Sequence, residues 1–335
     1  MYRFNEQEYL INASKAKACR KPCEEAAEYY HKKGFSNIVL MGVGGTTAEF
    51  TSIARIIKNY SDIEVLVVYA AEVLAGDMYH INSDSLVITG SKSGDTKEVV
   101  ACTKKLVEEG IDVFCITGDE NTPLAKVASR CVYSSAKNVE NTYLQFYYFI
   151  MKLLNLRGEF ENYERFANQM DESLHQFLID SRSSFDETAK KHARKYHKEP
   201  YQVWVGSGEI WGDIYLFTMC ILEEMQWKYT KSITSAEFFH GTIELYDDDT
   251  LFVLVKGIGK FREIDERVEK FLKKIDGKYE IIDLADFKSN TIDEEFMVIL
   301  SPMMMEAVAS RISSYYEFYS GHSLDFRRYY RQFDY

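Results

Sequence analysis

The sequence predicts an α/β protein built from two similar doubly wound domains, each an α-β-α sandwich around a central parallel sheet. Short apolar runs rich in β-branched residues alternate with helix-length amphipathic stretches, as in strands that are buried on both faces of a parallel sheet. The alternation occurs twice along the 335 residues, which favours a duplicated α/β unit. The hydrophobic content of 46% is sufficient for two cores.

The first half contains four predicted strands with helices between them. The strands are Ile38–Val43, Glu64–Tyr69, Leu86–Thr89 and Val113–Thr117. Amphipathic helices are predicted at Thr47–Asn59 and Lys97–Glu109, and Gly110 is a typical residue to follow the second of them.

The second half repeats this plan. Its predicted strands are Val203–Val205, Leu251–Val255, Glu280–Leu284 and Met297–Leu300, and a long apolar helix is predicted at Ile214–Met225. A polar, helix-compatible segment separates the halves and ends near Pro200. We therefore predict a first domain at 1–157, a helical connector at 158–198, a second domain at 199–324 and a C-terminal tail at 325–335.

The loop after the third strand predicts a phosphate site. Ser91, Ser93 and Thr96 offer hydroxyl donors around Lys92, and Gly94 lets the backbone approach a ligand closely. Unpaired N–H groups at the start of the following helix favour an anion. The loop lacks the GxxxxGK[ST] pattern of a nucleotide P-loop. The matching loop of the second half, KGIGK at 256–260, has no hydroxyl, so only the first half is predicted to bind phosphate.

A glycine-threonine turn follows the first strand. Gly45 permits a tight turn, and Thr46 and Thr47 are good helix N-caps or ligand donors. Alone, this pattern is typical of a plain strand-helix turn. Its position one strand-helix unit before the Ser91–Thr96 loop favours contact with the same ligand, because ligands bind at the carboxyl ends of the strands in open α/β sheets.

The second half offers two candidates for acid–base chemistry. Glu224 shares an apolar helical face with Cys220, Ile221 and Trp227, and burial of a carboxyl tunes it towards general-base work. His240 stands before a glycine in AEFFHGT; a single histidine is more often structural. The remaining candidate histidines lie in polar stretches and are expected at the surface: His80, His175, His192 and His197.

The C-terminal tail is aromatic and basic in an otherwise acidic chain. Arg327, Arg328 and Arg331 accompany Tyr329 and Tyr330. The tail either lies on the surface or folds back over a site, where arginine would recognise phosphate or carboxylate. The sequence leaves both readings open.

Composition excludes several classes of function. The net charge is −12 and no long basic run is present, which argues against nucleic acid. The N-terminus lacks a signal-peptide core and no run of about 18 apolar residues occurs, so we expect a cytoplasmic protein with no membrane contact. Six scattered cysteines indicate reduced thiols rather than a disulfide scaffold. No metal site or cofactor is predicted.

These motifs together resemble the sugar isomerase (SIS) family of phosphosugar-binding proteins over almost the whole chain. Ser91–Thr96 matches the family's SxSGxT loop, and LEE and AEFFHG match its glutamate and histidine motifs at Glu224 and His240. Within the family, EMQW and the ending HSLDFRRYY resemble the fructoselysine-6-phosphate deglycase group. Thr242 stands where a proline usually follows HG, and the ring-opening lysine of the related aminotransferases is missing.

The resemblance implies Glu224 and His240 as catalytic residues, and Glu140 beside Gly45, Thr46 and Thr47 as sugar contacts. It also implies a homodimer in which the His240 loop approaches the partner. The residues themselves add Phe238 and Phe239 as an apolar anchor for such an interface. The expected function is hydrolysis of a 6-phosphorylated ketosamine, a sugar phosphate substrate, to an aldose 6-phosphate and an amine. The alternatives are aldose–ketose isomerisation, amino-sugar-phosphate deamination and non-catalytic phosphosugar sensing.

Overall fold

Residues 1–333, which the computed structural model describes, form two sheets that are parallel throughout. The sheets lie in two compact units: residues 5–175, and residues 1–4 together with the chain from Gln176 onward. The fold class predicted from the sequence is therefore confirmed.

The first unit contains a five-stranded sheet in the order β2-β1-β3-β4-β5. Its strands are β1 (Asn37–Gly42), β2 (Glu64–Tyr69), β3 (Ser85–Ser91), β4 (Val113–Thr117) and β5 (Arg130–Tyr133). Its helices are α1 (Glu6–Lys17), α2 (Arg20–Lys33), α3 (Gly45–Tyr60), α4 (Ala70–Leu74), α5 (Lys97–Glu108) and α6 (Val139–Leu156). α7 (Tyr163–Tyr196) begins in this unit and ends in the second.

The central strands of this sheet are buried along almost their whole length, as their uninterrupted apolar sequences predict. Every residue of β1 and β4 is buried. Val39, Val87 and Val113 from three adjacent strands meet Leu106 of α5 in one core cluster. This core fixes the carboxyl ends of β1 and β3, where the glycine-threonine turn and the Ser91–Thr96 loop begin.

The second unit has a four-stranded sheet in the order β7-β6-β8-β9. Its elements are β6 (Tyr201–Val205), α8 (Trp211–Leu216), β7 (Tyr229–Ile233), β8 (Leu251–Lys256), α9 (Arg262–Lys274), β9 (Tyr279–Asp283) and α10 (Glu294–Ser320). This order matches that of β2-β1-β3-β4, so the two halves share one strand topology.

Three sequence-based assignments of strands need correction. The predicted strand Met297–Leu300 is wrong, because these residues lie within α10. α10 is buried on all sides, and a short apolar run from such a helix has the same composition as a buried strand. The sequence also missed β5 and β7. Both are edge strands with a mixed polar composition.

Helix α7 occupies the segment predicted as a connector, 158–198. The boundary between the two compact units falls inside this helix, between residues 175 and 176. The predicted limits of the domains and of the tail stay predictions.

Two histidines expected at the surface are buried, and that expectation was wrong. His175 Nε2 lies 2.8 Å from Asn141 Oδ1, and His192 Nε2 lies 2.9 Å from the Tyr316 hydroxyl. Burial lowers the pKa of His192 to about 3. Both histidines lie on the buried face of the amphipathic α7. The segment is polar on average, and this average composition does not show which residues face the core.

Among the described residues, α10 alone is long and apolar enough to cross a membrane. In its most apolar window 83% of the residues are buried, the pattern of a core helix.

Candidate active-site residues

Hydroxyl groups close the loop from Ser91 to Thr96 into a tight turn between β3 and α5. The Ser91 and Thr96 hydroxyl oxygens lie 3.1 Å apart, and the Gly94 N–H donates to Ser91 Oγ at 3.1 Å. Ser93 donates to Asp95. Thr96 is the N-cap of α5 but makes no side-chain bond to the first turn of the helix. The turn thus presents hydroxyls and helix N–H groups at one place, as an anion site requires.

A second segment that the sequence analysis did not identify braces this loop from behind. Thr117 at the end of β4 donates to the Ser91 carbonyl at 2.9 Å, and the Leu124 N–H donates to the Gly94 carbonyl at 2.9 Å. Gly94 has φ +64°, and a Cβ there would lie 2.3 Å from Thr122 Cβ. The loop therefore requires glycine at this position for space as well as for conformation.

The glycine-threonine turn begins α3. Gly45 and Thr46 are half-buried, whereas Thr47 is buried. The Thr47 hydroxyl lies 3.1 Å from the position of a Cβ on Gly42, so it faces back towards β1. The turn places Gly45 and Thr46 nearer to solvent than Thr47.

Two buried carboxyls lie in the same unit. Glu140, a predicted sugar contact, is 1% exposed in the first turn of α6, and Glu49 is 6% exposed on α3. Burial raises the pKa of Glu49 to about 7; Lys92 opposes this rise and Glu140 adds to it. The interaction between these three groups links the phosphate loop to the buried carboxyls. The sequence analysis missed Glu49, although its position in an apolar helix directly after the turn was a usable signal.

Glu224 is half-buried in the second unit, where its carboxylate pairs with the C-terminal tail. Arg327 Nε lies 2.8 Å from Glu224 Oε1. Burial raises the pKa of Glu224 above the usual glutamate range, and Arg327 and then Arg331 counteract this effect. Of the two readings of the tail, the described part (325–333) has the one in which it folds back, through Arg327; residues 334 and 335 lie outside the described residues.

The helix before Glu224 is not a regular α-helix. After α8 it widens into a π-helix over Phe217–Glu223, and the Glu224 N–H bonds to the Met219 carbonyl five residues earlier. Trp227 leaves the helix with φ +53°. The prediction that Glu224 and Trp227 share one α-helical face is therefore wrong. Glu224 is nevertheless half-buried, as that prediction required.

The motif EMQW and the tail meet at several points, and we call this contact the tail latch (224–227 with 322–328). The Arg328 guanidinium carbon lies 4.1 Å from the centroid of the Trp227 ring. His322 packs edge-on against Trp227 at 4.4 Å and accepts through its carbonyl from Gln226 Nε2 at 2.8 Å. Two sequence motifs almost 100 residues apart are thus halves of one contact around Glu224.

His240 is exposed in a turn, and its backbone N–H donates to the Glu237 carbonyl at 2.9 Å. The start of this segment is fixed by Ser235, which donates to Asp265 Oδ1 at 2.6 Å. Phe238 is buried in the core of its own unit and packs against Phe252 and Phe271. Phe238 is therefore not available as the surface anchor expected from the sequence.

The loop of the second half that corresponds to Ser91–Thr96 is filled by the protein's own carboxylates. Asp265 Oδ2 accepts from the Gly257 N–H at 3.0 Å, and a Cβ on Gly259 would lie 2.6 Å from Glu209 Oε2. Lys256 pairs with Glu269 and Asp283. Acidic side chains thus take the positions that an external anion would need, which supports the prediction that only the first half binds phosphate.

The predicted site residues fall into two groups. The phosphate loop, the glycine-threonine turn and Glu140 belong to the first unit, whereas Glu224 and His240 belong to the second. Within residues 1–333, no group of three or more histidine, cysteine, aspartate or glutamate side chains is arranged to hold a metal ion.

Comparisons with known proteins agree with this architecture. Residues 30–154 match the SIS domain family. The chain is 25% identical over 302 residues to a fructosamine deglycase of Bacillus subtilis, a match that covers 89% of this chain and 92% of the relative. It is 21% identical over 303 residues to a fructoselysine 6-phosphate deglycase of Escherichia coli, covering 89% of this chain and 86% of the relative.

A solved Bacillus subtilis structure, named provisionally as a phosphosugar isomerase, has the same fold. The TM-score is 0.89 at 24% identity, and the match covers 96% of this chain and 100% of that structure. Residues 30–154 therefore match a SIS domain, the two units share the α/β fold of that structure, and the chain is similar in sequence to a fructosamine deglycase and to a fructoselysine 6-phosphate deglycase.

We predict that Gly94→Ala disrupts the phosphate loop. The substitution combines a left-handed backbone with a clash against Thr122, so the free energy of unfolding should fall by about 2 kcal/mol or more. Gly110→Ala is the matched control, because Gly110 has φ +81° but open space around its Cβ position. In denaturant unfolding, Gly94→Ala should lower the free energy of unfolding more than Gly110→Ala does. Gly94→Ala should also weaken the binding of inorganic phosphate more. Equal effects of the two substitutions would contradict the bracing role of Thr122.

We predict that Glu49 makes stability depend on pH. Its pKa is about 7 in the folded protein and about 4.3 when unfolded, so the folded state binds more protons between these values. The free energy of unfolding should therefore fall as pH rises from about 4.3 to 7. Glu49→Gln should remove this component, worth up to about 4 kcal/mol, in thermal unfolding across pH. The exposed Glu98→Gln is the control and should retain the slope; a Glu49→Gln slope equal to wild type would refute the assignment.

Proposed function

We propose that this protein, whose residues 30–154 match the SIS domain family, hydrolyses a 6-phosphorylated ketosamine to an aldose 6-phosphate and a free amine. The observation that carries the proposal is the half-buried Glu224 carboxylate, held by Arg327 in the tail latch. Sequence similarity to a fructosamine deglycase and to a fructoselysine 6-phosphate deglycase supports a ketosamine phosphate as the substrate class.

The Ser91–Thr96 loop is proposed to bind the phosphate ester. Ser91, Ser93 and Thr96 supply hydroxyls, and the exposed Lys92 supplies a positive charge. Binding energy at the phosphate, far from the bond that breaks, positions the reacting carbons and lowers the entropic cost of reaching the transition state. Gly45, Thr46 and the buried Glu140 are proposed as sugar contacts.

Glu224 is proposed to move the proton between the two reacting carbons. C1 of a ketosamine carries hydrogens made acidic by the C2 carbonyl. Glu224 removes one; the C1–H electron pair becomes the C1–C2 double bond, and the carbonyl oxygen takes a proton. Glu224 then returns its proton to C2 as the nitrogen loses a proton and forms the C1–N double bond. Water adds to this imine at C1, and the amine leaves.

His240 is proposed to exchange protons with the sugar oxygens. Imidazole can both give and take a proton near neutral pH, as ring opening and protonation of the C2 oxygen require. The exposure of His240 in its turn allows a substrate to reach it. Because the aminotransferase lysine is missing, this role includes ring opening.

Arg327 is proposed as a positioning residue for Glu224. A carboxylate that loses hydration needs another source of stabilisation to stay ionised, and a guanidinium at 2.8 Å provides it. Gln226 and Trp227 hold the tail through His322 and Arg328, so the latch keeps this cation in place.

We predict that Glu224→Gln lowers kcat for release of glucose 6-phosphate from 6-phosphofructosyl-amino acids by about 10²–10⁴-fold, the usual contribution of an acid–base group. The neighbouring Glu223→Gln is the control, because Glu223 is exposed and should retain activity. Unchanged turnover in Glu224→Gln would overturn the assignment of the base. Amine release from glucosamine 6-phosphate alone, ketose–aldose interconversion alone, or binding without turnover would each replace the proposed reaction with an alternative.

We predict that Arg327→Gln moves the acidic limb of the kcat pH profile to higher pH. Removal of the cation raises the pKa of Glu224 further, so the carboxylate form is lost at a higher pH as the solution is acidified. Arg327→Lys should restore part of the profile. Arg328→Gln is the control, since Arg328 stacks on Trp227, and it should change stability more than the position of the limb. An unmoved limb in Arg327→Gln would contradict the positioning role.

A further inference from the structure

Two cysteine side chains face each other at the edge of the first sheet. Cys115 on β4 and Cys131 on β5 are register partners in adjacent parallel strands. The Cys115 thiol donates to Cys131 Sγ over a distance of 3.0 Å. Neither residue belongs to the phosphate loop, the glycine-threonine turn or the tail latch, so the proposed reaction leaves this pair unused.

The geometry suits a bond between the two sulfur atoms. Strand neighbours in register hold their Cα atoms within the range that a disulfide spans, and the sulfurs need to approach by only about 1 Å to reach bonding distance. β5 is the edge strand and pairs with β4 alone in this sheet. A small movement of β5 therefore disturbs one strand pairing rather than two.

The two thiols differ in their accessibility and in how readily they ionise. Cys131 is half-buried, whereas Cys115 is fully buried. The hydrogen bond from Cys115 lowers the pKa of Cys131, and the same bond together with burial raises the pKa of Cys115. Cys131 is thus the more accessible thiol and the better thiolate.

We propose that Cys115 and Cys131 are a redox pair that closes to a disulfide when the protein meets a peroxide. The Cys131 thiolate attacks one peroxide oxygen; the O–O bond breaks, hydroxide leaves, and Cys131 becomes a sulfenic acid. The Cys115 sulfur then attacks the Cys131 sulfur, and the S–S bond forms as the S–O bond breaks. Hydroxide takes the thiol proton and leaves as water. Two thiols and one hydrogen peroxide thus give one disulfide and two waters.

The position of the pair connects it to the Ser91–Thr96 loop. Cys115 lies two residues before Thr117 on β4, and the Thr117 hydroxyl donates to the Ser91 carbonyl at 2.9 Å. Thr117 is also the register partner of Ser91 between β3 and β4. A disulfide joins β4 covalently to the displaced β5, and the strain that it places on β4 would therefore act on the bond that braces the loop.

The first test is peroxide treatment of the whole protein, followed by alkylation of free thiols and peptide mass spectrometry. The expected result is a cross-linked pair of peptides that contain Cys115 and Cys131, lighter by two hydrogen atoms and separated again by dithiothreitol. Cys131→Ser and Cys115→Ser should each abolish it. Cys102→Ser is the matched control, because Cys102 is buried in the same core cluster and should leave the cross-link unchanged. Over-oxidation of Cys131 without a cross-link, or alkylation of both thiols after peroxide, would overturn the proposal.

The second test is amide hydrogen exchange of the oxidised and reduced protein. Oxidation should accelerate exchange in residues 91–96, and Cys131→Ser should show no such response to peroxide. A confirmed cross-link with unchanged exchange in the loop would overturn the link to the loop and leave a disulfide without effect there. Both readouts are independent of the proposed deglycase activity.

Discussion

The cost of removing a carboxylate from water governs the arrangement of both candidate sites. An isolated buried carboxylate is too unfavourable to persist, so it is either paired, hydrogen-bonded or protonated. The chain uses all three solutions. Glu224 pairs with Arg327, Asp265 accepts from Ser235 and Gly257, and burial makes Glu49 harder to ionise. The pair with Arg327 joins Glu224 to the tail, and Asp265 joins the loop after β8 to the segment that leads to His240.

The two halves illustrate how one topology diverges through local electrostatics. In the first half, hydroxyls of Ser91 and Thr96 close the loop, and its one acidic side chain, Asp95, accepts from Ser93 within the loop. In the second half, Asp265 and Glu209 approach the backbone of the equivalent loop. Asp265 accepts from the Gly257 N–H, so an internal carboxylate already bonds to this backbone donor. The second loop has become a structural support, and Ser235 connects it to the segment that carries His240.

The sequence predicted the parts of the structure that depend on local pattern. Uninterrupted β-branched runs indicate the buried central strands, and the composition of the hydroxyl-rich loop indicates an anion site. It failed where long-range packing decides: the edge strands β5 and β7, the helical environment of Met297–Leu300, and the burial of His175 and His192. The tail is the clearest case. Its charge was visible, but its contact with Glu224 depends on a fold that brings residues 224 and 327 together.

The π-helix before Glu224 has an evolutionary consequence. A π turn holds one residue more than the α-helical turn it replaces, so the direction of every later side chain depends on how many residues precede it. With Phe217–Glu223 at its present length, the Glu224 carboxylate contacts Arg327. Loss of a single residue there would rotate the carboxylate by about 100° around the helix axis, with no change to any residue of the tail latch. Relatives can therefore differ at this site through an insertion or deletion, a route that comparison of residue identities alone would overlook.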